Sequence, residues 1–250
     1  MTIYLESLIK NINIDKGRII NLLIEKGIIN YKEVLSILLY NGTDEQLYNY
    51  AKYINILTKE DKRLVLDELI RRKSANNLLF YACEISDAPV EEIEKVLIEA
   101  KIPGSIRLFA LKVKGANIPL LEKTIIETGN AQDIYFFAKD INTANIDNLT
   151  NAIIDTNDAK FIRLFAINVK GANIELLEEA LVSTGNLDEY KKFLGYKNKI
   201  QEENFTKLYN SIKNNDINDL EVNKERYAYL FKEPSTKVKA LVRKLDERGY

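Results

Sequence analysis

Residues 106–130 read IRLFALKVKGANIPLLEKTIIETGN, and residues 162–186 read IRLFAINVKGANIELLEEALVSTGN. The second stretch begins 56 positions after the first, and midway between them, from Ile134, stands the more diverged IYFFAKDINTANIDNLTNAIIDTND. The unit is therefore 28 residues long, and LLFYACEISDAPVEEIEKVLIEA, from Leu78, is a fourth copy in the same register. Self-similarity at a fixed period of roughly 20–50 residues marks a repeat architecture, in which one supersecondary unit buries its apolar face against the next.

An alanine holds one place in all copies: Ala82, Ala110, Ala138 and Ala166. An aromatic residue precedes each of them (Tyr81, Phe109, Phe137, Phe165), and a β-branched residue follows three places later (Ile85, Val113, Ile141, Val169). Ile106, Phe109, Ala110 and Val113 have the i, i+3, i+4, i+7 spacing of a helix with a buried face. This is helix A. Ile118, Leu121 and Ile125 repeat that spacing as helix B, which Gly129, Asn157 or Gly185 ends by tolerating a left-handed backbone. Asn117, Asn145 and Asn173 stand where helix B begins, and Asn130, Asp158 and Asn186 where the next helix A begins, placed to cap free backbone N–H groups.

The array extends beyond the clear copies. Gly42 reads as a helix stop and Thr43–Gln46 as a capping box leading into a further helix A around Ala51. Ala51 precedes Ala82 by 31 positions, so this unit carries a short insertion, expected in the loop near Thr58 to Asp61. Residues 15–27 and 30–41 read as one more helix pair. Leu187 to Tyr196 begins a fifth helix A, after which the pattern dissolves into helices of another kind. The expected organisation is a helical-repeat array over 1–196 and a C-terminal helical cap over 197–250, whose charge suits a cover for the last repeat. The fold class is all-α: a right-handed α-solenoid of antiparallel helix pairs.

This arrangement resembles the TPR, HEAT and armadillo class of helical-repeat proteins over roughly residues 15–196. The unit is shorter than the ~34 residues of a TPR or the ~40–47 of HEAT and armadillo repeats, and tryptophan is absent. The FA-x-x-V-x-GAN-x-x-x-LE phrase at Phe109–Glu122 and Phe165–Glu178 resembles short helical repeats in uncharacterised proteins of AT-rich bacteria and their phages. The abundance of Asn, Ile, Lys and Tyr fits such a genome. The resemblance implies a fold whose members mostly hold proteins or nucleic acid; a few with a basic groove are DNA-repair glycosylases.

Composition narrows the chemistry. The 250 residues are 46% hydrophobic and 29% charged, with a net charge of −1. That is a foldable core without the strong positive charge that favours nonspecific nucleic-acid binding. Histidine is absent, which removes the usual proton-transfer side chain and the commonest metal ligand. The single cysteine, Cys83, makes no intrachain disulfide, has no histidine to activate it, and reads as a half-buried structural thiol. The sequence shows no phosphate loop, calcium loop or His-containing metal motif. No catalytic residue, metal or cofactor is expected. The first residues lack the pattern of a secretion signal, and no apolar run reaches the ~20 residues of a membrane span. A cytoplasmic setting is expected.

The candidate site is a stripe on helix A. Three places before the marker alanine stand Tyr48, Leu79, Arg107, Tyr135, Arg163 and Lys191; Lys114 and Lys170 follow seven places after the two arginines, on the same helical face. Glu91, Glu94, Glu99, Glu122, Glu127, Asp147, Asp155, Glu175, Glu178 and Glu179 are expected to point outward from helix B. Arg and Tyr are favoured in binding hot spots, which makes Tyr48, Arg107, Lys114, Tyr135, Arg163, Lys170 and Lys191 the candidate binding residues for a protein or peptide of acidic character. The plainer account is that such cations lay their stems along the core and keep their charge in water. A nucleic-acid ligand is the alternative, and Arg71–Lys73 and Lys237, Lys239, Arg243, Lys244 and Arg248 are further basic clusters.

Overall fold

The computed structural model describes residues 9–10, 12–214, 216–223 and 239. All regular structure among them is helical. The chain runs α1 (Ile14–Glu25), α2 (Tyr31–Asn41), α3 (Asp44–Tyr53), α4 (Lys59–Arg71), α5 (Ala75–Glu84), α6 (Val90–Ala100), α7 (Pro103–Lys112), α8 (Ile118–Glu127), α9 (Ala131–Asp140), α10 (Ile146–Asp155), α11 (Ala159–Asn168), α12 (Ile174–Ser183), α13 (Leu187–Lys213) and α14 (Ile217–Val222). It divides into two compact units, residues 1–152 and 153–250. The A helices α5, α7, α9, α11 and α13 begin at 28-residue steps, as do the B helices α6, α8, α10 and α12.

Neighbours in sequence are neighbours in space. In the first unit each helix from α3 to α9 packs on the next, and α3, α5, α7 and α9 also touch in series; in the second, α11, α12 and α13 pack on one another. The core of the first unit is an aromatic column of Tyr50, Tyr81, Phe109 and Phe137, one per helix A, buried together with Ile85, Val113 and Ile141; in the second unit Phe165, Val169 and Phe193 are buried at the same registers. Where the column uses tyrosine, the hydroxyl donates to a preceding carbonyl: Tyr50 to Tyr31 and Tyr81 to Lys62, each at 2.8 Å. This satisfies a polar group that burial would otherwise penalise.

The punctuation is local. Ile85, Val113, Ile141 and Val169 leave the helix in extended backbone, each donating its N–H to the buried aromatic carbonyl four residues earlier. Gly115 and Gly171 then turn the chain at φ 90° and 84°, a region that side chains disfavour. Asn117, Asn145 and Asn173 cap the following B helices through Leu120, Asn148 and Leu176 N–H. Asn130, Asp158 and Asn186 do the same for helix A. Every helix B from α4 to α12 is followed by a left-handed residue at one register: Lys73, Lys101, Gly129, Asn157 and Gly185. The Thr43–Gln46 capping box is formed.

Three expectations are corrected. The insertion in the first full unit is not in the loop at Thr58–Asp61: Ile54–Thr58 is as long as Ile85–Pro89, and the extra residues lengthen α4 to 13 residues against 10 in α8. Nearly a full turn added inside a helix keeps the hydrogen-bond ladder and almost the same buried face, whereas a longer loop would add only chain to order. Glu94 and Glu122 do not point outward; both are buried, and Glu178 is half-buried. Lastly, the fifth helix A does not stop. The register that holds Val113, Gly115 and Asn117 in one unit holds Lys197, Lys199 and Gln201 here, so neither turn nor cap interrupts α13. The expected border at 196/197 thus lies inside a helix. Of the terminal basic cluster, all but Lys239 lies outside the described residues.

Candidate interaction face

The stripe three places before the marker alanine is largely engaged within the chain. Tyr48 is buried, and its hydroxyl donates to Glu84 Oε2 on the next A helix at 2.6 Å. Lys52 pairs with the same carboxylate. Burial and the bond to Glu84 push Tyr48 up to about 12, while Lys52 and Tyr48 hold Glu84 below its ordinary range. Arg107 repeats this link two A helices on, pairing with Asp140 on α9 and stacking over Phe136 at 5.3 Å, while Leu79 makes no such link between α5 and α7. Glu84 and Asp140 occupy one register, two places after their alanines, so donor and acceptor form a recurring staple between successive A helices. In the second unit Arg163 Nε bonds Glu189 at 2.6 Å.

Tyr135 is also buried, its ring 5.1 Å from that of Phe136. Tyr48 and Tyr135 are therefore part of the core and not of an exposed edge, because this register faces the adjoining A helix. Lys114, Lys170 and Lys191 are exposed. Lys114 and Lys170 do not share a helical face with the arginines, since α7 ends at Lys112 and α11 at Asn168; they stand on the turns beyond.

The residues that do reach solvent on helix A lie at neighbouring registers. Phe80 is 41% and Leu111 52% exposed, Leu108 and Phe136 are half-buried, and Cys83 is exposed. The place after the alanine faces outward in Leu111 and Lys139 as well, which is why Cys83 is not the half-buried thiol expected. Local desolvation raises its pKa against the pull of Lys112, so it stays a protonated, weak nucleophile at neutral pH. Lys112 and Lys139 are exposed at the ends of α7 and α9.

In the cluster Arg71–Lys73 the two arginines are engaged within the chain, and Lys73 is exposed. Arg72 donates to the Gly42 and Leu39 carbonyls at 2.6 and 3.1 Å, completing the end of α2, and to Glu68, which Arg71 also grips. On helix B, Glu94 accepts the Asn117 N–H and Glu122 the Asn145 N–H, both at 2.7 Å, while Glu178 takes Lys197 at 2.8 Å. A cleft of about 550 Å³ lies over Glu122, Asn145 and Asn148; another of about 420 Å³ lies between Ile174 and Phe193, Tyr196 and Ile200. Among the described residues no group of three or more Cys, Asp and Glu side chains is set to hold a metal ion, and no helix is long and apolar enough to cross a membrane. Comparison with family models, curated proteins and solved structures finds no match to this chain.

Proposed function

We propose that the chain is a non-enzymatic interaction module of the α-solenoid class, with antiparallel A and B helices wound right-handedly within each unit, that binds a protein or peptide along the outer edge of its A helices. The observation that carries this reading is the exposure of Phe80 and Leu111 on adjacent A helices, α5 and α7. Large apolar side chains exposed on neighbouring helices are common anchors of a protein interface. The staples Tyr48–Glu84 and Arg107–Asp140 support it indirectly. They hold successive A helices in register and so present their outer edges as a fixed surface. An inhibitor or adaptor working in the cytoplasm of a bacterium or phage-infected cell fits the AT-rich composition and the short repeats.

A photo-crosslinking residue placed at position 111 tests the reading against one at position 123, an exposed site on helix B. The expected result is a discrete protein adduct from 111 alone. Equal adducts from both positions overturn it. So does binding to DNA or RNA at ~50 mM salt that falls steeply as salt rises, the mark of phosphate contacts.

A further inference from the structure

We infer that the docking patch is the edge formed by α5, α7 and α9, and that its occupant is an acidic peptide segment anchored by one large apolar side chain. The inference rests on the reading of the chain as an interaction module and gives it a location and a partner chemistry. Phe80, Cys83 and Leu111 are exposed, and half-buried Leu108 and Phe136 lie at neighbouring registers on the same A helices, supplying the apolar contact surface.

Charge settles the partner's sign. Lys52 and Glu84 neutralise one another, and Arg107 against Asp140 and Asp133 leaves one negative charge, fewer than the three lysines that follow supply. Lys112 faces Glu84 and Cys83 from α7, but Glu84 is already held by Lys52. Among the described residues Lys112, Lys114 and Lys139 have no carboxylate within ion-pair distance, and all three are exposed. Lysines in the last turn also complement a helix C-terminus. That accounts for Lys112 and Lys139 singly, but not for the exposure of Phe80 on α5 and Leu111 on α7. A partner with Asp or Glu on either side of a Leu, Phe or Trp would bury the anchor against Leu111 and Phe80 and meet the surplus charge.

The arginines and tyrosines of the neighbouring stripe then act as positioning residues. Tyr48 joins α3 to α5 through Glu84, Arg107 joins α7 to α9 through Asp140, and neither touches the partner.

The test is selection of a displayed library of random peptides on the full chain, followed by affinity measurement with Leu111→Asp, with Lys112→Glu/Lys139→Glu, and with Lys123→Glu on helix B as control. All four positions are exposed, and thermal unfolding checks that each variant keeps the parent fold. Acidic peptides with a single large apolar residue are expected, losing about tenfold or more in affinity with either helix A variant and nothing with the control. Enrichment of neutral or basic peptides, or peptides that bind both helix A variants as tightly as the parent, overturns this inference and leaves the interaction reading standing. No enrichment of any peptide overturns both.

Discussion

A buried carboxylate costs several kcal/mol unless donors surround it, and Glu122 has two: the Asn145 N–H at 2.7 Å and the Asn148 side chain at 3.3 Å. It ties one B helix to the first turn of the next. Removing it takes the acceptor from the Asn145 N–H, so Glu122→Ala should lower stability by about 0.5–1.5 kcal/mol in chemical denaturation, with Glu122→Gln recovering part of the loss. Phe137 stands in the aromatic column with no exposed surface. Its truncation to alanine opens a cavity and should cost about 3–5 kcal/mol by the same measurement. The half-exposed Arg107–Asp140 pair is worth far less, on the order of 1 kcal/mol or below. These residues were unequally legible. The aromatic column follows from spacing, but nothing in the letters around Glu122 separates it from Glu127, one helical turn and a residue further on and exposed.

At the scale of the element, caps set the length of every helix. The left-handed place after helix B is filled by Lys73 and Lys101 in two units and by Gly129 and Gly185 in others. A side chain there strains the backbone, and glycine does not. Lys101→Gly should therefore raise the unfolding midpoint slightly, and Gly129→Ala should lower stability by about 1 kcal/mol, both read by thermal or urea unfolding. Agreement in sign at both positions would show that backbone strain at this register, and not side-chain contact, governs the joint. The unbroken α13 belongs to the same logic: without a β-branched stop, a glycine and an asparagine cap, the fifth helix A has no local reason to end.

Across the whole molecule the carboxylates set the response to pH. Arg71 and Arg72 hold Glu68 down from 4.5 to about 2, and Glu84, Glu92 and Glu189 are likewise lowered by the cations they bond. A carboxyl whose folded pKa is depressed contributes its full stability above the unfolded value and loses it as pH falls through the folded one. Glu94 and Asp133, raised by burial, run the other way, since protonation relieves a buried charge. The lowered groups predominate. Stability should fall between about pH 4.5 and 2, and Glu68→Gln should flatten that fall, as followed by circular dichroism across the range. A Glu68→Gln profile parallel to the parent's would remove Glu68 from the account.

The sequence by itself determined the period, the helices of the clear repeats from α5 to α12, the residues that cap α3 and α8 to α13, and the aromatic column. These are local matters: helical spacing and turn chemistry act between residues a few positions apart, and the repeat writes them several times over. Only the tertiary structure decided what each outward register meets. Tyr48, Arg107 and Glu122 stand at places where helical spacing predicts an edge, but residues about 20–40 positions away cover them. Phe80 and Leu111, which spacing does not single out, are left in water. Spacing assigns a side chain to a face of its own helix; whether another helix lies against that face depends on packing between units, which no single helix encodes.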